Sequence, residues 1–437
     1  MNDRALPLSY RCALLHQRTI NCAIPQYSYV NSTARCGIVR QQIAVHYTDC
    51  SPQAAHYGTL KHMNPLEQIL QCGQSIWLDS ISRDLINSGE LQRLVTEDKL
   101  RGVTSNPTIF EQTINQGNSY DDALRALLKA DRQQTDKALF EALAVADIRK
   151  ATDVLRPVYD ATQGGDGYVS LEVSPHLAYD TDGTIAEAKR LWDAVQRPNL
   201  MIKIPATPAG IPAITQSIAA GININVTLMF SLRHYEDVAR AYIRGLGGRE
   251  DASPGKKGAW PVSVASFFVS RVDGIVDPLL EKNGSPAALA LRGKIAIANA
   301  KLAYQRFRET FHGEAFADLR RKGAQVQRPL WGSTGTKNPA YSDVLYLEQL
   351  IGPDTVNTVP PKTLDAFRDH GHVHETLTEN VKQAEADIAQ LQEFGIDLDA
   401  ITEKLQDDGV DAFAASYDKL LAALKTKRQD ILANHAA

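Results

Sequence analysis

Short apolar runs recur along residues 63–437, and most of them are followed by a segment with helical periodicity. Eight such runs stand out, and their bounds are Ser75–Asp79, Gly102–Ser105, Tyr168–Val173, Leu200–Pro205, Ile222–Thr227, Pro261–Phe267, Pro329–Ser333 and Thr355–Val359. Continuous apolar strands that alternate with helices are typical of a parallel sheet covered by helices. Eight such units favour a closed barrel over an open sheet.

Helical periodicity also extends beyond these eight units. One long stretch runs from near Tyr120 to near Thr162, between the second and third strands, and another, Leu364–Ile431, follows the eighth. Shorter candidate helices are Thr184–Val195, Pro212–Ala220, Leu232–Leu246, Ala287–His312 and Ser342–Ile351. We therefore predict an α/β fold, a single (β/α)8 barrel of the TIM type with extra helices after strand 2 and at the C-terminus.

A doubly wound open sheet is the alternative arrangement of the same elements. Such sheets usually carry a glycine-rich phosphate-binding loop after the first strand. Here the first run continues into Ser80-Ile81-Ser82-Arg83 instead, and the glycine cluster at 164–167 precedes a strand, as a turn does. The pattern therefore favours the barrel.

Residues 1–62 differ from the remainder in composition. They carry five Arg and one Lys against two Asp and no Glu, although the whole chain has a net charge of −4. A transit peptide, a small accessory domain, or sequence upstream of a true start near Met63 would each account for this. We favour the third and predict a disordered basic extension, 1–62, followed by one barrel domain, 63–437.

Composition limits the classes of partner. Acidic and basic residues are well mixed along the chain, which argues against a nucleic-acid or anionic-membrane surface. No apolar stretch approaches the length of about 18 residues that a membrane span requires. Four of the five cysteines lie within residues 1–62 and form no C-x-x-C pair, so the body resembles a protein of a reducing compartment, and we expect the cytoplasm.

Lys203 is the most informative polar residue, because it lies within the apolar fourth strand, LMIKIP. A lone strand lysine more often extends its amine to solvent at a strand end. A lysine that points inward is buried, which disfavours its charged form, and a neutral amine can attack a ketone. Asp79 ends the first strand and Glu172 lies in the third, so one amine and two carboxylates converge if the barrel closes.

Neutral and basic groups at the ends of other strands extend this set, since barrel active sites lie at the C-terminal face. Asn106 follows the second strand, and Asn225 and Thr227 share one face of the fifth. Further along lie Ser266, Arg271 and the small-residue loop that ends at Lys337. Barrels often bind phosphate late in the strand order, so Arg271 and this loop are candidate phosphate ligands.

In four segments the sequence resembles the transaldolase family, over about residues 64–437. These segments are Gly102–Pro107 (GVTSNP), Ile202–Thr207 (IKIPAT), Ile224–Ser231 (INVTLMFS) and Ser266–Arg271 (SFFVSR). The C-terminal helices and those after strand 2 resemble the longer bacterial form. Phe267 and Ser270 depart from the Pro and Gly common in relatives, and Lys337 stands where many relatives have arginine.

The resemblance implies a role for each candidate residue. Lys203 would form a Schiff base with the donor ketone, and Asp79 would take the proton of the donor's C4 hydroxyl. Glu172 would dehydrate the carbinolamine through a water that Thr227 also holds. The implied substrate ligands are Asn106, Asn225 and Ser266 for the dihydroxyacetone portion, and Arg271 and Lys337 for phosphate.

The resemblance further implies that no metal or organic cofactor is needed, that phosphorylated sugars are the partners, and that the chain is a monomer or homodimer. The reaction would move dihydroxyacetone from a ketose phosphate to an aldose phosphate. The alternative is an aldolase that releases free dihydroxyacetone, but such aldolases are shorter and carry glutamine where Glu172 stands. A catalytically silent barrel and a non-covalent phosphosugar isomerase are two further alternatives.

Overall fold

The computed structural model describes residues 64–115, 117–249 and 260–434. The predicted basic extension, residues 1–62, and the predicted start at Met63 lie outside the described residues and stay predictions. At the first described residue, the Asn64 side chain accepts a hydrogen bond from the backbone N–H of Leu66 and so caps the helix that follows.

Eight parallel strands form one closed barrel, which confirms the predicted fold class. The strands are β1 Gln74–Leu78, β2 Gly102–Val103, β3 Tyr168–Glu172, β4 Leu200–Pro205, β5 Ile224–Met229, β6 Ser263–Phe268, β7 Arg328–Gly332 and β8 Thr355–Val359. Each strand pairs with the next in chain order, and β1 pairs with β8. The C-terminal ends of all eight strands therefore meet at one face.

The helices surround this barrel. Their bounds are α1 Pro65–Gln68, α2 Arg83–Asn87, α3 Glu90–Glu97, α4 Pro107–Asn115, α5 Asp121–Ala130, α6 Asp136–Ala161, α7 Thr181–Val195, α8 Gly210–Ala219, α9 Leu232–Gly247, α10 Ser270–Asn283, α11 Pro286–Leu289, α12 Ile295–Phe311, α13 Ala317–Arg321, α14 Leu345–Glu348, α15 Pro361–His370, α16 Val381–Gln390 and α17 Leu398–Asn434. Short 3₁₀ helices cover Ile69–Cys72, Pro175–Leu177, Glu314–Phe316 and Leu391–Phe394. None of the described helices is long and apolar enough to cross a bilayer.

Two predicted helices are wrong in extent. The single helix predicted over Ala287–His312 is broken between α11 and α12, where Gly293 adopts a φ of 70° and donates its N–H to Asp277. This left-handed conformation ends a helix, and glycine adopts it without the steric cost of a side chain. The helix predicted over Ser342–Ile351 shrinks to the four residues of α14.

The extra C-terminal helix α17 lies across the C-terminal face of the barrel. The Gln406 side chain donates hydrogen bonds to the backbone oxygens of Ala206, at 3.1 Å, and Leu228, at 2.9 Å, which lie beside the ends of β4 and β5. A methyl group on Gly409 would come within 2.9 Å of the Leu228 side chain. Glycine therefore allows α17 to approach the strand ends closely.

A buried ion pair fixes α2, the first helix after Asp79, against α6. The Arg83 guanidinium donates to Asp147 at 2.9 and 3.0 Å and lies over the Tyr120 ring, 4.4 Å from its centroid. Removing one partner of a buried pair leaves the other charge uncompensated. We expect Asp147→Ala to lower the free energy of unfolding by about 3–5 kcal/mol.

Urea denaturation measures this loss, with an exposed pair as the matched control. Lys189 and Asp193 form a 2.6 Å ion pair one turn apart on α7, with both side chains more than half exposed. Lys189→Ala should cost about 0–1 kcal/mol. Equal losses in the two variants would contradict the assignment of the Arg83–Asp147 pair as a stabilising contact.

Candidate active site

A cavity of about 430 Å³ opens at the C-terminal face of the barrel. It is lined by seven of the nine residues predicted from the sequence, namely Asp79, Asn106, Lys203, Thr227, Ser266, Arg271 and Lys337. The other two, Glu172 and Asn225, lie directly beside it, because each is hydrogen-bonded to a lining residue. Barrel closure thus brings together side chains that are more than 250 positions apart in the sequence.

Lys203 points into this cavity from β4 and is only 4% exposed. In the strand register it pairs with Glu172 on β3 and with Asn225 on β5. Its Nζ atom donates to Glu172 Oε2 and to the backbone oxygen of Ser105, both at 3.2 Å. The amine is therefore held inside the barrel mouth and does not extend to the surface.

Asp79 directly follows β1 and is fixed by a chain of hydroxyl groups. Thr104 donates to Asp79 Oδ1 at 2.7 Å, and the Thr104 and Thr358 hydroxyls are 2.7 Å apart. Since Thr104 gives its single proton to the carboxylate, Thr358 is the donor in the second bond. Burial raises the pKa of Asp79, while the positive charge of Lys203, the Thr104 hydrogen bond and the more distant Arg271 lower it.

Glu172 is the carboxylate in direct contact with the amine, 3.2 Å from the Nζ atom of Lys203. Burial raises the pKa of this carboxyl group above its usual value, and the nearby Asp79 carboxylate raises it further. The charge and hydrogen bond of Lys203 act in the other direction. Two buried carboxylates with different hydrogen-bond partners therefore act on one amine, and such an arrangement allows separate acid and base tasks.

Polar side chains on β5 and β6 form a connected set. Ser266 donates to the amide oxygen of Asn225 at 2.6 Å, and the amide nitrogen of Asn225 donates to Ser170 at 2.9 Å. The Thr227 hydroxyl is fully buried and bonds to no described residue. Asn106 uses its amide oxygen to cap α4, where it accepts from the N–H of Ile109 at 2.9 Å.

Arg271 and Lys337 supply positive charge on the far side of the cavity. Neither forms an ion pair with a carboxylate among the described residues. Burial lowers the pKa of both groups, and the charge of Arg271 lowers the pKa of Lys337 further. Two buried cations without a carboxylate ion pair, one of which lowers the pKa of the other, make a site for an anion, whose negative charge would stabilise both charged forms.

The loops that carry these two cations are joined. The Ser270 N–H donates to the backbone oxygen of Ser333 at 3.1 Å, and the two serine hydroxyls are 3.0 Å apart. The Ser270 hydroxyl therefore links the start of α10, which carries Arg271, to the loop that leads to Lys337.

Sequence reasoning missed several residues of the cavity. The sequence pattern marks Thr104 only as part of the GVTSNP motif and does not distinguish Thr358, Lys362 or Phe413, although all four line the cavity. Lys362 is the second residue of α15. Its position after the eighth strand could have indicated it, because barrels often bind phosphate there. Phe413 carried no such signal, because nothing in its local sequence shows where α17 packs.

Among the described residues, no group of three or more His, Cys, Asp or Glu side chains is arranged to hold a metal ion. The side chains that line the cavity suit covalent chemistry at an amine. Lys203 is placed to act as nucleophile, two carboxylates are placed to transfer protons, and two cations can bind a phosphate away from the reacting carbon.

Comparison with known proteins gives the same picture over most of the chain. The family described as Transaldolase/Fructose-6-phosphate aldolase matches residues 76–424. A transaldolase of Thiobacillus denitrificans is 48% identical over 362 residues, which are 83% of this chain and 100% of that protein. Transaldolase 1 of Streptomyces avermitilis is 49% identical over 362 residues, covering 83% and 95%, and a transaldolase of Trichodesmium erythraeum is 44% identical over 374 residues, covering 83% and 97%. With a buried amine and two carboxylates at the mouth of its barrel and matches of this length, the chain belongs to the transaldolase family.

Proposed function

We propose that this chain transfers a dihydroxyacetone unit from a ketose phosphate to an aldose phosphate through a Schiff base at Lys203. The donors would be sedoheptulose 7-phosphate or fructose 6-phosphate, and the acceptors glyceraldehyde 3-phosphate or erythrose 4-phosphate. This is the transaldolase step of the non-oxidative pentose phosphate pathway, and we place it in the cytoplasm. The observation that carries the proposal is the buried Lys203 amine, 3.2 Å from Glu172 in a cavity that Asp79 also lines.

Asp79 and Lys203 would divide the bond-breaking chemistry. The neutral amine attacks the donor ketone, and loss of water gives an iminium ion that can accept an electron pair. Asp79 takes the proton of the C4 hydroxyl, the C3–C4 bond breaks, and its electrons form an enamine on the three-carbon fragment. The aldose phosphate leaves, and a second aldose phosphate reverses these steps with its own carbonyl carbon.

Glu172 and Thr227 would serve the formation and hydrolysis of the Schiff base. Both steps move one water molecule and need a group that can give and take its proton. Glu172 is hydrogen-bonded to the Lys203 amine. The buried Thr227 hydroxyl has no partner among the described residues, so it is available to hold that water. The raised pKa of Glu172 brings it closer to the range in which a carboxyl group exchanges protons at neutral pH.

The remaining polar residues would position the substrate. Asn106 lines the cavity beside Asp79, and the hydrogen-bonded pair Asn225 and Ser266 lies across from it on β5 and β6. We assign these three to the hydroxyl groups of the dihydroxyacetone portion. Arg271 and Lys337 are assigned to the donor phosphate, where binding energy away from the reacting carbons holds the ketone against the amine.

Arg271 and Lys337 can be tested by their effect on donor binding. We expect Arg271→Leu to raise KM for fructose 6-phosphate about 100-fold, because a guanidinium makes paired charge-assisted hydrogen bonds to phosphate. Lys337→Met should raise it about tenfold, since an ammonium group acts as a point charge. Inhibition by inorganic phosphate should weaken in the same order. An unchanged KM in both variants would remove the phosphate assignment.

Release of free dihydroxyacetone, as in an aldolase, is the alternative reaction, and the matched family includes fructose-6-phosphate aldolase in its description. The glutamate at position 172 and the length of the chain favour transfer. A coupled assay separates the two reactions. For a transferase, steady product formation depends on the aldose acceptor, whereas an aldolase turns over the ketose alone.

Borohydride trapping tests the covalent proposal directly. Reduction in the presence of fructose 6-phosphate should add a three-carbon fragment to Lys203, which peptide mass spectrometry locates. Lys301 is the matched control, since it is a second buried lysine, 5% exposed, whose pKa burial lowers, but it lies on α12 and outside the cavity. An unmodified Lys203, or an adduct on Lys301 instead, overturns the mechanism.

The pH dependence of turnover tests the role of Asp79. This carboxylate must be ionised to accept a proton, and the hydrogen bond from Thr104 stabilises the ionised form and so lowers its pKa. Thr104→Val removes that bond, so the pKa of Asp79 rises and the acidic limb of the kcat profile moves to higher pH. Thr358→Val removes the hydrogen bond to Thr104 and leaves the Thr104–Asp79 bond in place, so it should move the limb in the same direction by less. A limb that stays in place argues against Asp79 as the base.

A further inference from the structure

Phe413 on α17 covers the cavity from the side opposite the strand ends. Its ring centroid is 5.5 Å from the Nζ atom of Lys203 and 6.0 Å from the Cζ atom of Arg271. The side chain is 4% exposed and lines the cavity itself. One apolar ring therefore stands over both the nucleophile and the cation that we assign to the donor phosphate.

The ring is held in this place by contacts on both sides of it along α17. On the N-terminal side, Gln406 bonds to two backbone oxygens beside the strand ends, and Gly409 lies against Leu228. On the C-terminal side, the Ser416 and Thr108 hydroxyls are hydrogen-bonded at 2.9 Å, and the Tyr417 ring packs against Phe140. These contacts fix the helix on the barrel, so Phe413 forms a standing wall of the cavity.

If Lys203 forms the Schiff base as proposed above, a wall at this point affects which of two reactions the enamine undergoes. The enamine carbon can bond to the aldehyde carbon of an acceptor, whose oxygen then takes the proton that Asp79 holds. It can instead take a proton from solvent, which gives the iminium ion of dihydroxyacetone. Addition of one water to that ion and cleavage of its C–N bond release dihydroxyacetone and regenerate the free amine.

We propose that Phe413 decides between these two outcomes by excluding water from the enamine bound to Lys203. An apolar ring offers no hydrogen bond to water and fills the space above the amine, so solvent does not deliver the proton. A positive charge on the lysine nitrogen is tolerated there, because the face of an aromatic ring attracts cations. Phe413 thus favours transfer of the dihydroxyacetone unit to an acceptor over its release as free dihydroxyacetone.

The ratio of release to transfer tests this role. With fructose 6-phosphate alone, the full chain should give a burst of glyceraldehyde 3-phosphate and then a slow rate, which equals dihydroxyacetone release. Addition of erythrose 4-phosphate gives the transfer rate. In Phe413→Ala the release-to-transfer ratio should rise about tenfold or more, which is ~1.4 kcal/mol in the difference between two barriers. Phe413→Val should raise the release-to-transfer ratio by less. This variant provides the test if Phe413→Ala does not fold.

The control is Leu420→Ala on the same helix. Leu420 lies two turns after Phe413, is fully buried and is not part of the cavity lining, so this variant loosens α17 without opening the wall. Its release-to-transfer ratio should equal that of the unaltered chain. A ratio that stays unchanged in the Phe413 variants, or rises equally in Leu420→Ala, overturns the proposal. Failure of the Schiff-base mechanism itself is distinguishable, because the unaltered chain would then give no borohydride adduct on Lys203.

Discussion

Lys203→Met is expected to lower turnover by about 10⁴-fold or more, because it removes the amine that we propose forms the covalent bond. Methionine has nearly the shape and length of lysine, so it should fill the same space on β4 while lacking the amine. The measurement is the rate of transfer from fructose 6-phosphate to erythrose 4-phosphate, together with borohydride trapping. The adduct should vanish along with turnover.

The ion pair complicates this variant in a way that can be measured. Glu172 loses the positive charge that lowers its pKa, so its pKa should rise further and the carboxyl group should be protonated more readily. The variant should therefore still fold, which thermal unfolding and circular dichroism check. Lys301→Met removes the second buried lysine among the described residues and should keep full turnover. Normal turnover by Lys203→Met would exclude Schiff-base catalysis and favour an isomerase or another non-covalent reaction.

The barrel itself could be predicted from the sequence because its strands are buried on both faces. Such strands appear as continuous apolar runs, and β4 and β8 begin and end where the runs do. The helices are interrupted in the structure at places where the apolar pattern of the sequence is continuous. Apolar spacing continues through the region of Gly293, and only the backbone turn there reveals two helices in place of one.

The candidate site could be predicted only in part, and the residues that could be predicted share one physical feature. Polar residues such as Lys203 and Glu172 stand out when they lie within apolar strands, since closure of a barrel brings strand ends together. Phe413 is an apolar residue on an amphipathic helix and looks like any core residue. Its position over Lys203 depends on the path of the chain after β8, and residue spacing does not encode that path.

Asp79→Asn should lower turnover by about 10²–10⁴-fold, the usual contribution of a positioned acid or base. Asparagine has the same shape and can keep the hydrogen bond to Thr104, but its amide does not accept the C4 proton. Lys203 and Glu172 are unchanged, so the Schiff base should still form. The loss should therefore fall on cleavage of the C3–C4 bond and leave the earlier steps intact.

This division makes the mass of the trapped adduct the decisive measurement. In the unaltered chain, borohydride should trap the three-carbon fragment on Lys203, because cleavage precedes reduction. In Asp79→Asn it should trap the whole six-carbon donor phosphate, since the iminium ion forms and then waits. Thr104→Val, which keeps the carboxylate, should give the three-carbon adduct at neutral pH. If Asp79→Asn also gave only the three-carbon adduct at the normal rate, another group would be the base, and Glu172 would be the next to test because it is the other carboxylate beside the amine.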